Sequence, residues 1–524
     1  SPNYSEAHNN LGNAYSELRQ FNDAIKSYQK ALEINPNFPA LLNNLGNAYR
    51  ELGQLNDALQ AYLSGLILNT EYVDLLNNIG VIYHELGQYG EAINSYEKAI
   101  VIKPDFADAY NNLGVTFNKL NLYDKAIKAY ERAISLNLDF PDPYNNLSIV
   151  FRKLGLINEL IGSFKRAILC MERVLIDAPS DAENHNNLGI AYFEIERTED
   201  AVNSYQSAIS IKSDFSAAHK NLGAAFEKLK RYEESISSFQ KAYLLKPDID
   251  YILGCIVNSK MNSCNWDNLQ NLINEIRKKI INNEKVIDPF NLMALVDEPS
   301  LQRKVTELRV GSDHPVSDAL PKIDNYLKRS KIRVGYFSAD FREHPVGFLT
   351  AELYELHDRD HFEIHAFSFG KDTNDNLNLR IKAGVDHFHN VDLMSHKEIA
   401  LLARSLEIDI AVDLAGFTAG AKTEVFALTA APIQLSYIGY LGTMGADYYD
   451  YLIADPIMIP KENQKHYVEK IVYLPSFQVN DSTDLPPEIT LTRKEVGLPD
   501  KGFVFCCFNN TYKFTPTVFD SWAR

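Results

Sequence analysis

Residues Lys331–Phe348 read KIRVGYFSADFREHPVGF, and this stretch decides the fold of the C-terminal half. Ile332–Phe337 predicts a buried strand, the residues after it a polar turn, and Pro345 the start of a helix. Proline suits the first helical position, where its missing N–H would have no partner anyway. His344 then falls just before the helix, at the carboxyl end of a strand, where open α/β sheets bind ligands. The positive end of a helix disfavours a protonated imidazole. A neutral histidine there can act as a base or as an orienting donor and acceptor. A structural or surface histidine is the alternative.

Downstream, the pattern of residues 331–490 continues as strand and helix in turn. His361–Gly370 (HFEIHAFSFG) alternates as a strand, and Val385–Val391 (VDHFHNV) is a short third strand. His396–Asp409 is an amphipathic helix and Ile410–Phe417 a buried strand. PIQLSYIGYLGT, DYYDYLIADPIMIP and KIVYLPSF follow, rich in β-branched and aromatic residues. Alternation with buried apolar strands predicts a parallel, doubly wound sheet. No GxGxxG follows the first strand, so a nicotinamide-binding unit is excluded. Gly439-Tyr-Leu-Gly442 with Thr443 and Gly445 is a glycine-rich loop after a strand. It makes Gly442 and Thr443 candidates for holding a donor substrate, with a plain turn as the alternative. His387 is expected near the same ligand-facing edge as His344, with Asp386 on the other face. No metal-binding set emerges. Asp358-Arg-Asp360 and Asp248-Ile-Asp250 match the Asp-x-Asp pattern but read as solvated turns.

Residues 491–524 open a further unit. Gly502–Phe508 predicts a buried strand, Asn509–Phe514 a polar turn, and Thr515-Pro516 an N-cap followed by the first helical position. Lys513 thus leads into a helix N-terminus, a place that favours a diphosphate; a surface lysine is the alternative. One strand, one loop and a partial helix do not make a domain. The sequence therefore reads as a fragment whose second α/β lobe is largely missing.

Upstream, residues 1–248 are an array. NNLG recurs with its glycine at Gly12, Gly46, Gly80 and Gly114, then as Ser148 in NNLS, then at Gly189 and Gly223 in NLG. The steps are 34, 34, 34, 34, 41 and 34 residues. A period of about 34 is the tetratricopeptide spacing, which predicts about seven helical hairpins stacked as a curved α-solenoid. Small residues at Ala24, Ala58, Ala92 and Ala126 let paired helices approach, and Pro36, Pro104 and Pro247 stop the second helix. The step of 41 places seven extra residues between Ala167 and Pro179. That predicts a lengthened helix with its face preserved.

An asparagine stands two places before every marker: Asn10, Asn44, Asn78, Asn112, Asn146, Asn187 and Asn221. It either caps or bridges neighbouring repeats, or lines the concave face as a ladder of amides. Amides carry both donors and acceptors and can clamp the backbone of an extended peptide. Residues 249–330 read as a helical connector, with helices in Cys264–Glu284 and Asp288–Val310.

With 524 residues the chain has material for about three or four domains. Its net charge of −17 argues against nucleic acid as main partner. No apolar run approaches a bilayer span. Cys170, Cys255, Cys264, Cys506 and Cys507 form neither a disulfide framework nor a CxxC zinc spacing. A reducing, cytoplasmic setting fits.

The order of repeats, connector, IRVGYFSADFREHPVGF, FALTAAPIQLSYIGYLGTMGADYYDYLIAD and FCCFNNTYKFTP resembles the nucleocytoplasmic protein O-linked N-acetylglucosamine transferases. That family includes Spindly-type protein O-fucosyltransferases and bacterial relatives. The resemblance implies a B-type glycosyltransferase, two Rossmann-like lobes with the active site between them. It implies inverting, metal-independent transfer of a sugar, first of all N-acetylglucosamine from UDP-GlcNAc, to Ser/Thr hydroxyls of proteins. No cofactor is implied beyond the sugar nucleotide. His344 and His387 match active-site histidines, and Lys513 matches the lysine that holds the donor diphosphate. Asn510 stands where the family's transferase has glutamine, a departure that bears on donor choice. Expected partners are acceptor proteins bound as extended peptide along the array and the nucleotide sugar, with neither nucleic acid nor membrane. GDP-fucose transfer and a non-catalytic repeat scaffold are the rival readings, and the fragment itself is expected to be inactive.

Overall fold

The structure is a computed structural model that describes residues 4–154, 156–323, 326, 329–479, 481–482, 491–499, 501–502 and 510–524. The strand expected over Gly502–Phe508, with Cys506 and Cys507, lies outside the described residues except for Gly502. The chain divides into two units, Ser1–Lys153 with Ile157–Glu196, and Leu154–Leu156 with Arg197–Arg524.

The first unit is built of helical hairpins. Ser5–Glu17 pairs with Phe21–Ile34, Pro39–Glu51 with Leu55–Leu68, Val73–Glu85 with Tyr89–Ile102, and Ala107–Lys119 with Tyr123–Leu136. The packing explains the marker glycine. A Cβ on Gly12, Gly46, Gly80 or Gly114 would lie 2.4, 2.3, 2.5 or 2.6 Å from the ring of Tyr28, Tyr62, Tyr96 or Tyr130. Each ring lies across the first helix of its own hairpin and is almost completely buried. The helix Ile157–Asp177 has 21 residues where its counterparts Tyr123–Leu136 and Thr198–Ile211 have 14. The seven-residue insertion is therefore absorbed as two extra turns, as its length requires.

The second unit begins with the helix Thr198–Ile211 and the hairpin Ser216–Lys228 with Tyr232–Leu245. The connector helices Ile252–Asn262, Leu269–Ile281, Pro289–Met293 and Pro299–Asp313 follow. Phe239 and Ala242 of the last hairpin share one core with Leu253, Ile256, Ile276, Ile280, Leu292 and Val305. The connector is thus docked on the repeat before it. Its last helix also packs on the sheet domain, where Val310 joins the core of Phe337 and Phe367. Gly445 (φ +65°) lets a loop of that domain press on the same helix, with a Cβ there only 2.9 Å from Thr306.

Among the described residues the sheet has seven parallel strands: β1 (Ile332–Ser338), β2 (Phe362–Ser368), β3 (His387–Asn390), β4 (Ile410–Asp413), β5 (Ile433–Ser436), β6 (Tyr451–Ala454) and β7 (Lys470–Tyr473). Their order is β3-β2-β1-β4-β5-β6-β7. Burial on both faces accounts for the apolar strands. On one face Phe337 and Phe367 stack at 4.3 Å with Phe426 edge-on. On the other, Val334, Tyr336, Ile364 and Ala366 meet Ala351 and Tyr354 of the helix Pro345–Glu355. The helix Asn376–Gly384, which the sequence reading did not anticipate, makes the β2–β3 crossover. The strand expected over Ile410–Phe417 ends at Asp413. There the side chain turns the backbone by accepting the N–H groups of Ala415 and Gly416 at 2.9 and 3.0 Å.

Candidate active site

From β1 the chain builds outward on one side through β2 and β3, then returns to place β4 on the other. The chain therefore leaves β1 and β4 for helices on opposite faces, and this switch point is where open α/β sheets bind ligands. The edge loops converge on Ala339. A Cβ on Gly370 would lie 2.2 Å from its carbonyl oxygen, and one on Gly420 (φ +80°) would lie 3.0 Å from its Cβ.

His344 stands at this edge as the N-cap of the helix Pro345–Glu355, as the sequence predicts. Its Nδ1 accepts the Val346 N–H at 3.3 Å and lies 3.5 Å from a carboxylate oxygen of Asp340. A nitrogen that accepts carries no proton, so the ring proton sits on Nε2, which is left as a donor. Asp340 is almost fully buried, receives Arg342 at 3.2 Å and takes its own backbone N–H to Ser338 Oγ at 3.0 Å. Asp375 accepts the Glu343 N–H at 3.2 Å while capping the next helix through Asn378 N at 2.8 Å. The turn carrying His344 is thereby fixed from both ends, a rigid mounting for a half-exposed imidazole.

Two further groups at this edge were missed from sequence. Lys422, in the loop after β4, is buried, with its ammonium 3.1 Å from Met394 O and 3.5 Å from Val391 O. Burial lowers it to about 8. Asp413 is buried, accepts Tyr449 Oη–H at 2.6 Å, and has its carboxyl raised by burial. Neither lies in a motif, and nothing in local spacing marks them.

His387 requires a correction. The parallel register sets it beside His365, itself level with Gly335, three residues short of the end of β1. At about 3.3 Å per residue that is roughly 10 Å back from the carboxyl edge. It also shares a face with His365, whose ring stacks on Phe367. The helix of His344 packs on the opposite face. The structure does not bring these two imidazoles together.

His387 instead joins Glu363 and His365 in a cluster whose ligand atoms lie close enough together to hold a metal ion, a grouping the sequence did not show. Glu363 and His365 come from β2 and His387 from β3, so only the register unites them. Burial, then His387 and His389, push the His365 imidazole down to about 4.

Thr443 also departs from expectation. It is buried, donates to Glu469 at 2.7 Å, and accepts the N–H groups of Gly445 and Val468 at 3.1 and 3.2 Å. Its hydroxyl staples the loop to the strand approach of β7 and is not offered to a ligand. Gly442 is needed for packing, since a Cβ there would lie 2.7 Å from Tyr440 Oη.

Asn510 opens the short turn Thr511–Lys513, and Thr515 caps the helix Pro516–Ala523 by accepting Val518 N–H at 3.3 Å. The connector seats this segment. Thr511 Oγ1 donates to Asn262 O at 2.9 Å, and the Tyr512 and Phe519 rings lie 6.4 and 5.5 Å from Phe290 and Trp266.

In the repeats, the amide of Asn44 donates to Asn9 at 3.2 Å, Asn78 to Asn43 at 2.8 Å, Asn112 to Asn77 at 3.0 Å and Asn146 to Asn111 at 3.0 Å. The bridging alternative is therefore realised at these four steps. Asn44, Asn78, Asn112, Asn146, Asn187 and Asn221 are half-buried and Asn10 is exposed, so none is sealed away from solvent. No helix among the described residues is long and apolar enough to cross a membrane.

The glycosyl transferase family 41 profile matches residues 319–490. Tetratricopeptide repeat profiles match residues 5–38, 27–60, 46–87, 80–121, 107–140, 139–214 and 218–249. The probable UDP-N-acetylglucosamine–peptide N-acetylglucosaminyltransferase SEC of Arabidopsis thaliana is 36% identical over 200 residues, 37% of this chain and 20% of that protein. The UDP-N-acetylglucosamine–peptide N-acetylglucosaminyltransferase of Caenorhabditis elegans is 32% identical over 199 residues, 36% of this chain and 16% of that one. The match thus spans about a fifth of the length of these relatives. A solved O-GlcNAc transferase mutant of Thermobaculum terrenum aligns at 24% identity and TM-score 0.46, over 72% of this chain and 66% of its own. Residues 319–490 are a glycosyl transferase family 41 domain, and the chain carries it behind an array of tetratricopeptide repeats.

Proposed function

We propose that this chain supplies the acceptor-gathering array and the first α/β lobe of a transferase that moves a sugar from a nucleotide sugar to Ser/Thr hydroxyls of proteins. The observation that carries this reading is His344, rigidly mounted at the switch point of a family 41 domain with Nε2–H as its free donor. The names of the relatives make UDP-GlcNAc the first donor to test. The reaction is inverting and needs no metal. The acceptor hydroxyl attacks the anomeric carbon, the bond to the diphosphate breaks, and the hydroxyl proton leaves to a base. Lys513 and a helix N-terminus would hold the departing diphosphate, with Asn510 beside them. His344 orients acceptor or sugar through Nε2. The asparagine row, half-exposed even where it bridges neighbouring repeats, supports capture of an extended acceptor, since amides bind backbone whatever the side chains.

The test compares His344→Ala with wild type in the full-length protein, with UDP-GlcNAc and GDP-fucose as donors and transfer to acceptor protein as the readout. Loss of about 100-fold or more is expected, the range of an acid–base or orienting residue. Wild-type turnover by the variant would remove His344 from the mechanism. Consumption of GDP-fucose alone would reassign the donor, and inertness of the wild type toward both would leave the scaffold reading.

A further inference from the structure

Glu363 and His365 alternate along β2 and share a face, and the register places His387 of β3 beside His365. Glu363 Oε1 lies 3.2 Å from His365 Nε2 and 3.2 Å from His387 Nε2. The three ligand atoms all lie within 4.8 Å of one another. Donors about 2.1 Å from a tetrahedral centre stand roughly 3.4 Å apart, close to the two separations from Glu363 Oε1. Arg333 Nε holds the other carboxylate oxygen at 3.1 Å, so Glu363 presents Oε1 alone. His365 is 2% exposed, and its Nδ1 lies 3.0 Å from His389 Nε2. Such an outer partner fixes the ring and tautomer of a ligating histidine. The His387 side chain is 50% exposed, which leaves an entry path and room for a water ligand.

We propose that Glu363, His365 and His387 bind a divalent transition cation of the zinc class, with His389 as the outer partner of His365. Two imidazoles and one carboxylate suit zinc, cobalt, nickel or copper, whereas magnesium and calcium take oxygen ligands. Without the ion, His365 Nε2–H donates to Glu363 Oε1 and its Nδ1 accepts from His389 Nε2–H, while His387 Nε2 stands 3.2 Å from the same carboxylate oxygen. Binding needs a lone pair at each Nε2, so the His365 proton moves from Nε2 to Nδ1. His365 Nδ1–H then donates to His389 Nε2, and the His389 proton shifts to its own Nδ1. The rings keep their proton count. The ion would tie β3, a four-residue strand at the end of the sheet, to β2. The site lies on the face opposite the helix of His344 and does not depend on the proposed transfer.

The test is cobalt(II) titration of the untagged chain followed by its visible d–d bands, with zinc displacement and a magnesium control. Wild type should take up cobalt, release it to zinc and ignore magnesium. His387→Ala and Glu363→Gln should weaken binding by at least about 100-fold and His389→Ala by about tenfold. The exposed His361→Ala should bind as wild type. Because Glu363→Gln also frees Arg333, ring 15N shifts of wild-type His365 give an independent reading: zinc should move its proton from Nε2 to Nδ1. Absence of cobalt uptake, uptake unchanged in both ligand variants, or a His365 ring indifferent to zinc would each overturn the site.

Discussion

Lys422 shows how a single side chain can carry a pH signature without belonging to any motif. Its ammonium is buried at the carboxyl edge with backbone carbonyls as partners, and burial brings it from 10.5 to about 8 despite the nearby carboxylates Asp392 and Glu424. Between those two values the unfolded chain binds the proton more than the folded chain, so stability rises with pH across that window. Lys422→Met lacks this dependence. Raising the pH from about 7 to about 9.5 should favour wild type over the variant by about 2 kcal/mol. Urea unfolding read at the chain's two tryptophans, Trp266 and Trp522, measures it. A difference constant with pH would refute the assignment. Residues of this kind were illegible in the sequence because their chemistry comes from burial. His344 was legible because proline and the end of a strand marked its place locally. His387 was misplaced because its neighbours depend on strand register: 24 residues of sequence separate Glu363 from it.

At the scale of elements, the repeat hairpins are the most legible part, since one glycine and one ring recur with the period. Gly80→Ala should lower the melting temperature, because its Cβ would enter the ring of Tyr96, which is 1% exposed and has nowhere to go. The cost of such overpacking is about 1–3 kcal/mol. Gly90→Ala, in the same hairpin with nothing within 4 Å, should raise it through helix propensity, by up to about 1 kcal/mol. Equal shifts for the two in differential scanning calorimetry would contradict the packing account. The strands β1, β2 and β4 were readable from apolar runs. The helix Asn376–Gly384 was not, since DNLNLRIKAG is short and its apolar residues mark no clean face: Leu377 and Ile381 are buried while Leu379 is exposed. The end of β4 was overrun because a carboxylate bending its own backbone looks, in sequence, like one more residue of an apolar strand.

At the scale of the molecule, the division of the chain into two units falls, apart from Leu154–Leu156, within the sixth repeat, between Glu196 and Arg197. Both tryptophans belong to the second unit, whereas helices fill much of both. Long repeat arrays depart from all-or-none unfolding. Urea transitions followed by tryptophan fluorescence and by far-ultraviolet circular dichroism should therefore not coincide, and superimposable curves would show a single cooperative block. The asparagine bridges add a property that no single repeat possesses. At each of the four steps the giving amide belongs to the later repeat and the receiving oxygen to the earlier one. The row is consequently a one-way street. Under the proposed capture of an extended acceptor, the two orientations of one guest chain would meet different surfaces, since a polypeptide has its own head and tail.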